Sequence, residues 1–269
     1  MADAYRYLGG NGVIDPKEAH PKAKAAAQKA LELDEGLAEA HTALGIIKMD
    51  EWDWAGAERE FKRAIEQNPN LADAHFRYSV YLTNVGRPTE ALAEIKRAQE
   101  LDPLRIRLRD QEGAALCFAR RYDEAIQQLQ SVIKLEPDNS FAHVFLGYTY
   151  AAKGQYAQAI EEYQKTISIE GETTSFKIYL GYALAQSGKR SEGQAILDKL
   201  KATKEYVSPA ELAVLHVGLG DKEGAFASLE KAYAAHDLQM QFLKVDPHYD
   251  SLRSDGRFQD LMRRVGLPL

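Results

Sequence analysis

The chain has 269 residues, 45% of them hydrophobic, a formal net charge of −6 and one cysteine. A chain of this length holds two globular domains or one continuous array, and its acid excess argues against a phosphate-binding surface, which needs clustered Lys and Arg. The single Cys117 excludes an internal disulfide and a cysteine-based metal site. No apolar run is long enough to span a bilayer. The start, MADAYRYLGGNG, lacks the basic and apolar stretches of a secretion signal. The expectation is a soluble segment without direct membrane insertion, with cytoplasm and periplasm both open.

Residues 2–37 read as a helix pair whose turn, GGNGVIDP, is two residues longer than later ones. Residues 38–71, AEAHTALGIIKMDEWDWAGAEREFKRAIEQNPNL, give the clearest pair. Apolar periodicity predicts helices at about 38–50 and 54–67. Ala57, Phe61, Ala64 and Ile65 draw one face of the second. Asn68-Pro69 closes the unit, because proline resists continuation of a helix.

The same frame fits 72–105, 106–139, 140–173, 174–205 and 206–237, with Pro103 and Pro137 in phase with Pro69. Gly86, Gly154, Gly188 and Gly220 end the first helix of their pairs, where a left-handed residue is wanted. Ser208-Pro209-Ala210-Glu211 reads as an N-cap serine, a proline at the first helical position and a capping-box glutamate. The period stops after 237, and 238–269 reads as a capping segment. There Phe258, Leu261, Met262 and Val265 share one helical face, Ser254 or Asp255 serves as N-cap, and Gly266 and Pro268 end the helix. Arg257, Arg263 and Arg264 are expected to face water. No matching cap precedes the first copy, so a longer protein, cut on the N-terminal side, is expected.

The array is announced by Ala57, Ala91, Ala125 and Ala159, each 34 residues after the last, continuing through Gly193 to Ala225. Gly45, Ser79, Gly113, Gly147, Gly181 and Ala213 run in phase. Self-similarity at this period marks stacked helix pairs. Leu-Gly in the first helix, two small residues flanking a bulky one in the second, and a closing proline resemble the tetratricopeptide repeat. The resemblance implies an all-α, right-handed superhelical solenoid of about seven helix pairs with a C-terminal capping helix. In that fold the glycine of each first helix and the alanine of each second face one another, which lets the axes approach to about 8–10 Å. The strings KALELDEGLAEAHTALG, WDWAGAEREFKRAI, RAQELDP and DSLRSDGRFQDLMRRVGLP are also similar to the C-terminal repeat regions of bacterial signalling proteins. In those proteins a winged-helix regulator, nucleotide cyclase or Ser/Thr kinase module precedes the repeats.

The resemblance further implies that first helices line a concave groove. Its positions, carried over copy by copy, include Phe76, Val80, Asn84, Arg107, Cys117, Phe118, Phe141, Val144, Tyr148, Ile178 and Tyr182. Such a groove is acidic at its start and apolar and aromatic from the middle onward. Family members that grip a chaperone's C-terminal carboxylate use Lys, Arg and Asn at these positions. Only Asn84 and Arg107 remain here, which argues against that ligand. An apolar groove suits an amphipathic helix or extended apolar peptide.

Candidates for chemistry are few. His41, His75 and His143 share one repeat position and read as packing residues, since Arg109 interrupts the series and zinc needs three or four close ligands. Arg109 and Glu112, three residues apart, read as a local ion pair or a polar socket for a partner's charged end. Cys117 has no neighbouring histidine in the repeat frame to activate it. Asp50-Glu51-Trp52-Asp53-Trp54 reads as tryptophans packed at a helix-pair corner among solvated carboxylates. No phosphate loop, nucleophile elbow or catalytic carboxylate pair is present. The reading is a non-enzymatic interaction scaffold, without cofactor, metal or nucleic-acid partner, binding a protein or peptide in its groove. A self-association module is the alternative.

Overall fold

The computed structural model describes residues 16–267, all of it helix, turn and loop. The first helix of the first copy, its turn up to residue 15, and Pro268 lie outside the described residues. The elements are α1 (Pro16–Leu33), α2 (Ala38–Asp50), α3 (Trp54–Gln67), α4 (Ala72–Asn84), α5 (Pro88–Leu101), α6 (Ile106–Phe118), α7 (Tyr122–Leu135), α8 (Ser140–Ala152), α9 (Tyr156–Glu170), α10 (Thr174–Gln186), α11 (Arg190–Ala202), α12 (Pro209–Gly218) and α13 (Lys222–Ala234). Two short 3-10 helices, Leu238–Phe242 and Pro247–Leu252, and a final helix α14 (Gly256–Arg264) follow. The fold is an all-α solenoid of paired helices with a terminal helix. The described residues divide into two compact units: 16–83 with 89–108, and 84–88 with 109–267.

In the first unit, Ala23 and Ala27 of α1 pack on Ala43, Leu44 and Ile47 of α2. Ala38, Ala64 and Ala74 bury against one another where α3 meets α4, beside Ile65 and Leu71. Phe61 is fully buried and its ring lies 6.0 Å from Tyr78 and 5.9 Å from Tyr81. Trp54 is buried beside Tyr81, in keeping with its packing role; Asp50, expected among solvated carboxylates, is buried too. Asp53 caps α3 by accepting from the Gly56 amide at 2.9 Å.

In the second unit the same ladder repeats with Leu129 and Tyr163 in the place of Phe61, and all three are completely buried. These large side chains explain the glycine series. A methyl group built on Gly45 would lie 2.7 Å from the Phe61 ring, on Gly113 2.6 Å from Leu129, and on Gly147 2.9 Å from Tyr163. The nearest neighbour of each of these glycines is therefore the bulky residue of its second helix, where the ladder alanine was expected. A glycine-sized position lets a ring or Leu side chain lie directly on the first helix's backbone.

Gly86, Gly154, Gly188 and Gly220 take φ of +75°, +75°, +93° and +68°, as their place after the first helix requires. Trp52 and Arg120 fill the same position in two other pairs, with φ of +61° and +62°. A side chain in this conformation costs about 1–2 kcal/mol, so these two residues are held there by what they touch.

Ser208 caps α12 by accepting from the Glu211 amide at 3.2 Å, and Pro209 opens the helix. The capping box is not completed. The Glu211 carboxylate instead accepts from the Ser175 hydroxyl at 2.6 Å, and Ser208 donates to Asp237 at 2.6 Å. Asp255 caps α14, whose Phe258, Leu261 and Met262 are buried, as is Val265 just after it. The arginines of α14 are exposed, as expected, and two of them also bind the last pair. Arg257 binds Glu223 at 2.8 Å and lies 3.9 Å over the Phe226 ring; Arg264 binds Glu230 at 2.9 Å and lies 4.1 Å over Tyr233.

Candidate binding groove

Within the second unit, α6 from Arg109 onward, α8, α10 and α12 are the first helices of successive pairs. Phe141 and Phe145 stack at 4.5 Å on α8, and Phe145 lies 6.0 Å from Phe118 of α6. Tyr148, Tyr179 and Tyr182 continue the aromatic surface onto α10, with Tyr148 and Tyr179 5.7 Å apart. Ile178 is completely buried beneath it.

The chain covers part of this face with its own residues 238–252. Phe242 stacks on Phe118 at 5.6 Å. His248 enters between three tyrosines, 4.3 Å from Tyr148 and 4.4 Å from Tyr182, both at 88°, and 5.7 Å from Tyr179. The Tyr249 hydroxyl donates to the Ala210 carbonyl at 2.7 Å. Asn84 donates to Gln241 at 3.2 Å. Arg120 forms a two-pronged bridge to Asp250 at 2.8 and 2.7 Å, which accounts for its left-handed backbone. Met240, Leu243, Val245, Pro247 and Leu252 are buried, so the segment contributes a full share of core.

At the centre, Asp246 accepts from the His248 amide at 2.8 Å and contacts its Nδ1 at 2.9 Å. Burial opposes ionisation of Asp246, but the His248 charge, its hydrogen bonds and the Tyr148 hydroxyl outweigh it and hold the carboxyl below its usual value. Burial pushes the Tyr148, Tyr179 and Tyr249 hydroxyls well above their ordinary range. Glu211 moves the other way from Asp246. Burial, with Asp237 and Asp246 nearby, raises it from 4.5 to about 7, against the pull of the Ser175 hydroxyl.

The sequence-derived groove residues fall into distinct settings. Tyr148 and Tyr182 are buried at the cage, and Phe118 is half-buried against Phe242. Phe141 and Val144 are half-buried toward the start of α8. Cys117 is completely buried, and burial pushes its thiol up to about 12, so it is an inert packing group. Asn84 is buried against the segment. In the first unit Phe76 is buried beneath the Arg77 and Arg105 guanidiniums at 4.8 and 5.1 Å, Val80 is half-buried and Arg107 is exposed.

The three histidines are buried, as packing residues would be, but each also makes the same two polar contacts. Nδ1 of His41, His75 and His143 meets Glu60, Glu94 and Glu162 at 2.8, 2.6 and 2.6 Å. Nε2 meets the backbone carbonyl six residues earlier, of Glu35, Pro69 and Pro137. Each ring thus ties the loop between pairs to the second helix. Burial lowers the His75 pKa, but Glu94 and the Pro69 carbonyl outweigh it and raise it above its usual value. At the interrupting Arg109 the backbone carbonyl takes a hydrogen bond from Gln128, nineteen residues on, the spacing of the His–Glu pairs. The Arg109 side chain is exposed and Glu112 is half-buried. Among the described residues no cluster of three or more His, Cys, Asp or Glu side chains can hold a metal ion, and no helix is long and apolar enough to cross a membrane.

Sequence reasoning missed Phe145 and Tyr179, and read 238–252 only as part of a capping segment, without its path over the groove. Phe145 and Tyr179 are 34 residues apart, so their shared phase and aromaticity were visible, but the carried-over groove positions skip that phase.

A family model for the tetratricopeptide repeat matches residues 42–105 and 111–173. No curated protein matches the chain. Among solved structures, a tetratricopeptide repeat protein from Parabacteroides merdae ATCC 43184 matches 98% of this chain and 99% of its own, at 15% identity and a TM-score of 0.66. PilW, a widely conserved type IV pilus biogenesis factor, matches 78% of this chain and 96% of its own, at 19% identity and a TM-score of 0.63. Pseudomonas aeruginosa PilF matches the same shares at 21% identity and a TM-score of 0.53. At these identities the likeness is one of fold. The six helix pairs from α2 to α13 share one spacing, and over four of them, residues 42–105 and 111–173, the chain is similar to the tetratricopeptide repeat.

Proposed function

We propose that the chain is a protein- or peptide-interaction scaffold that takes an apolar or amphipathic segment along the first helices of its second unit, as part of a bacterial signalling protein. The observation that carries the reading is the ring row on α8. Phe141 and Phe145 stack half-buried at one end of it, and the same row, through Phe118, already receives Phe242. A surface that accepts one aromatic segment has the shape and chemistry to accept another along the same row. The histidines and the cysteine are committed to structural contacts, which supports a binding role over a catalytic one. The signalling setting rests on the resemblance of the terminal strings to such proteins.

Selection of displayed peptides on the folded chain tests this. The expected winners are rich in aromatic and leucine residues and lose at least about tenfold in affinity, about 1.4 kcal/mol, on a Phe141→Glu chain. Winners that bind Phe141→Glu equally well, with helix content unchanged, would overturn the reading.

A further inference from the structure

Residues 238–252 lie on the groove in the manner of a bound peptide. They contain no α-helix, only two short 3-10 helices with Leu243–Asp246 between them. They touch the loop after α4 and the helices α6, α8, α10 and α12, all of which already have partner helices in the array. Recognition concentrates at the Asp246-Pro247-His248 turn. Its imidazole meets two tyrosine rings edge-to-face, and the Asp246 carboxylate fixes the turn by accepting from the His248 amide.

Two features mark the anchor of the segment and its exit from α13. Nε2 of His248 is buried without a hydrogen-bond partner. The segment leaves α13 through exposed Ala235 and His236, and His236 is held at φ +53° without being glycine. An unsatisfied buried group at the anchor favours local opening.

We propose that the tyrosine cage of the second unit is a recognition site for an Asp-Pro-His turn followed by an aromatic residue, with residues 238–252 as its tethered resident, and that a partner segment bearing the same turn takes the cage when the resident leaves. This deepens the scaffold reading and rests on it. The tether keeps the resident at a high effective concentration, so an incoming segment binds the intact chain weakly and binds a chain with a weakened resident well.

The probe is a labelled synthetic peptide of residues 238–252, LQMQFLKVDPHYDSL, titrated into the full chain and into its His248→Ala variant. The expected result is at least tenfold tighter binding to His248→Ala, with binding abolished when the peptide itself carries His248→Ala. Equal binding to both chains, or none to a His248→Ala chain of native helix content, overturns the proposal. If His248→Ala does not fold, hydrogen exchange on the unsubstituted chain decides. Exchange of the Leu243, Val245 and Tyr249 amides through an opening that leaves α8 and α10 protected supports it, and exchange only together with those helices overturns it. Peptide capture through Phe141 lies off the cage, so it survives if the cage proposal fails and is lost if the scaffold reading fails.

Discussion

The final helix and the segment before it finish the same chain in opposite ways. The final helix α14 extends the array's own rule. Its arginines reach Glu223 and Glu230, each 34 residues back, and its apolar face closes the last pair. Residues 238–252 break that rule by binding Arg120, 130 residues before Asp250, and Asn84, 157 residues before Gln241. A repeat array is stabilised mainly between neighbours. Here one terminal element is a neighbour contact and the other is a long-range one, and substitutions in the two should report differently.

The largest effects separate them by location. Phe258→Ala is expected to destabilise the α13–α14 end by about 3–5 kcal/mol and Leu243→Ala the segment by about 2–5 kcal/mol. Hydrogen exchange should place the first loss at residues 222–234 and 256–264 and the second at 238–252; losses in the same place would collapse the distinction.

Glu211 sits where the two regions part, near Asp237 and Asp246. A pKa difference of one between folded and unfolded chains is worth about 1.4 kcal/mol, and Glu211 is raised from 4.5 to about 7. The folded chain therefore binds this proton more tightly than the unfolded one. Its penalty is absent below pH 4.5, grows as pH rises and is complete above 7. Glu211→Gln is expected to stabilise by about 2–3 kcal/mol at pH 8 and to remove the decline across that window, read by urea melts at several pH values. An unchanged pH slope would show that burial, with Asp237 and Asp246 nearby, does not raise Glu211.

Gly147→Leu must push against Tyr163 and is expected to cost about 1–3 kcal/mol, read as a lowered urea midpoint. An unchanged midpoint would break the glycine-on-ring account of the ladder. Arg264→Ala, at the surface, is expected to cost only about 0.5–1 kcal/mol. A larger loss would mean that α14 depends on its bridges more than on its apolar face.

What was legible in the sequence is what neighbour contacts dictate. The helices expected at 38–50 and 54–67 are α2 and α3 end to end, because one contact pattern repeated at a fixed period places every member. The left-handed glycines followed for the same reason. Trp52 and Arg120 did not, since nothing in their residue type signals that conformation; Arg120 takes it beside Asp250, far away in sequence. The polar work of the histidines was within reach, because Glu60, Glu94 and Glu162 stand at a constant nineteen residues from them. The path of 238–252 was not. Phe242, Leu243, Val245 and Tyr249 demand burial by composition, but an aperiodic stretch carries no information about which helices will receive it.

That path also sets a count. Arrays of this kind ordinarily tolerate gaining or losing a unit, because each unit needs only the next. In this chain a single stretch of fifteen residues must meet Asn84, Phe118, Tyr148, Tyr182 and Ala210 at once. An added pair between α6 and α13 would carry those anchors out of its reach, and a deleted pair would remove one of them. The segment works as a gauge cut to one length, which makes the number of repeats in the second unit a property of the fold.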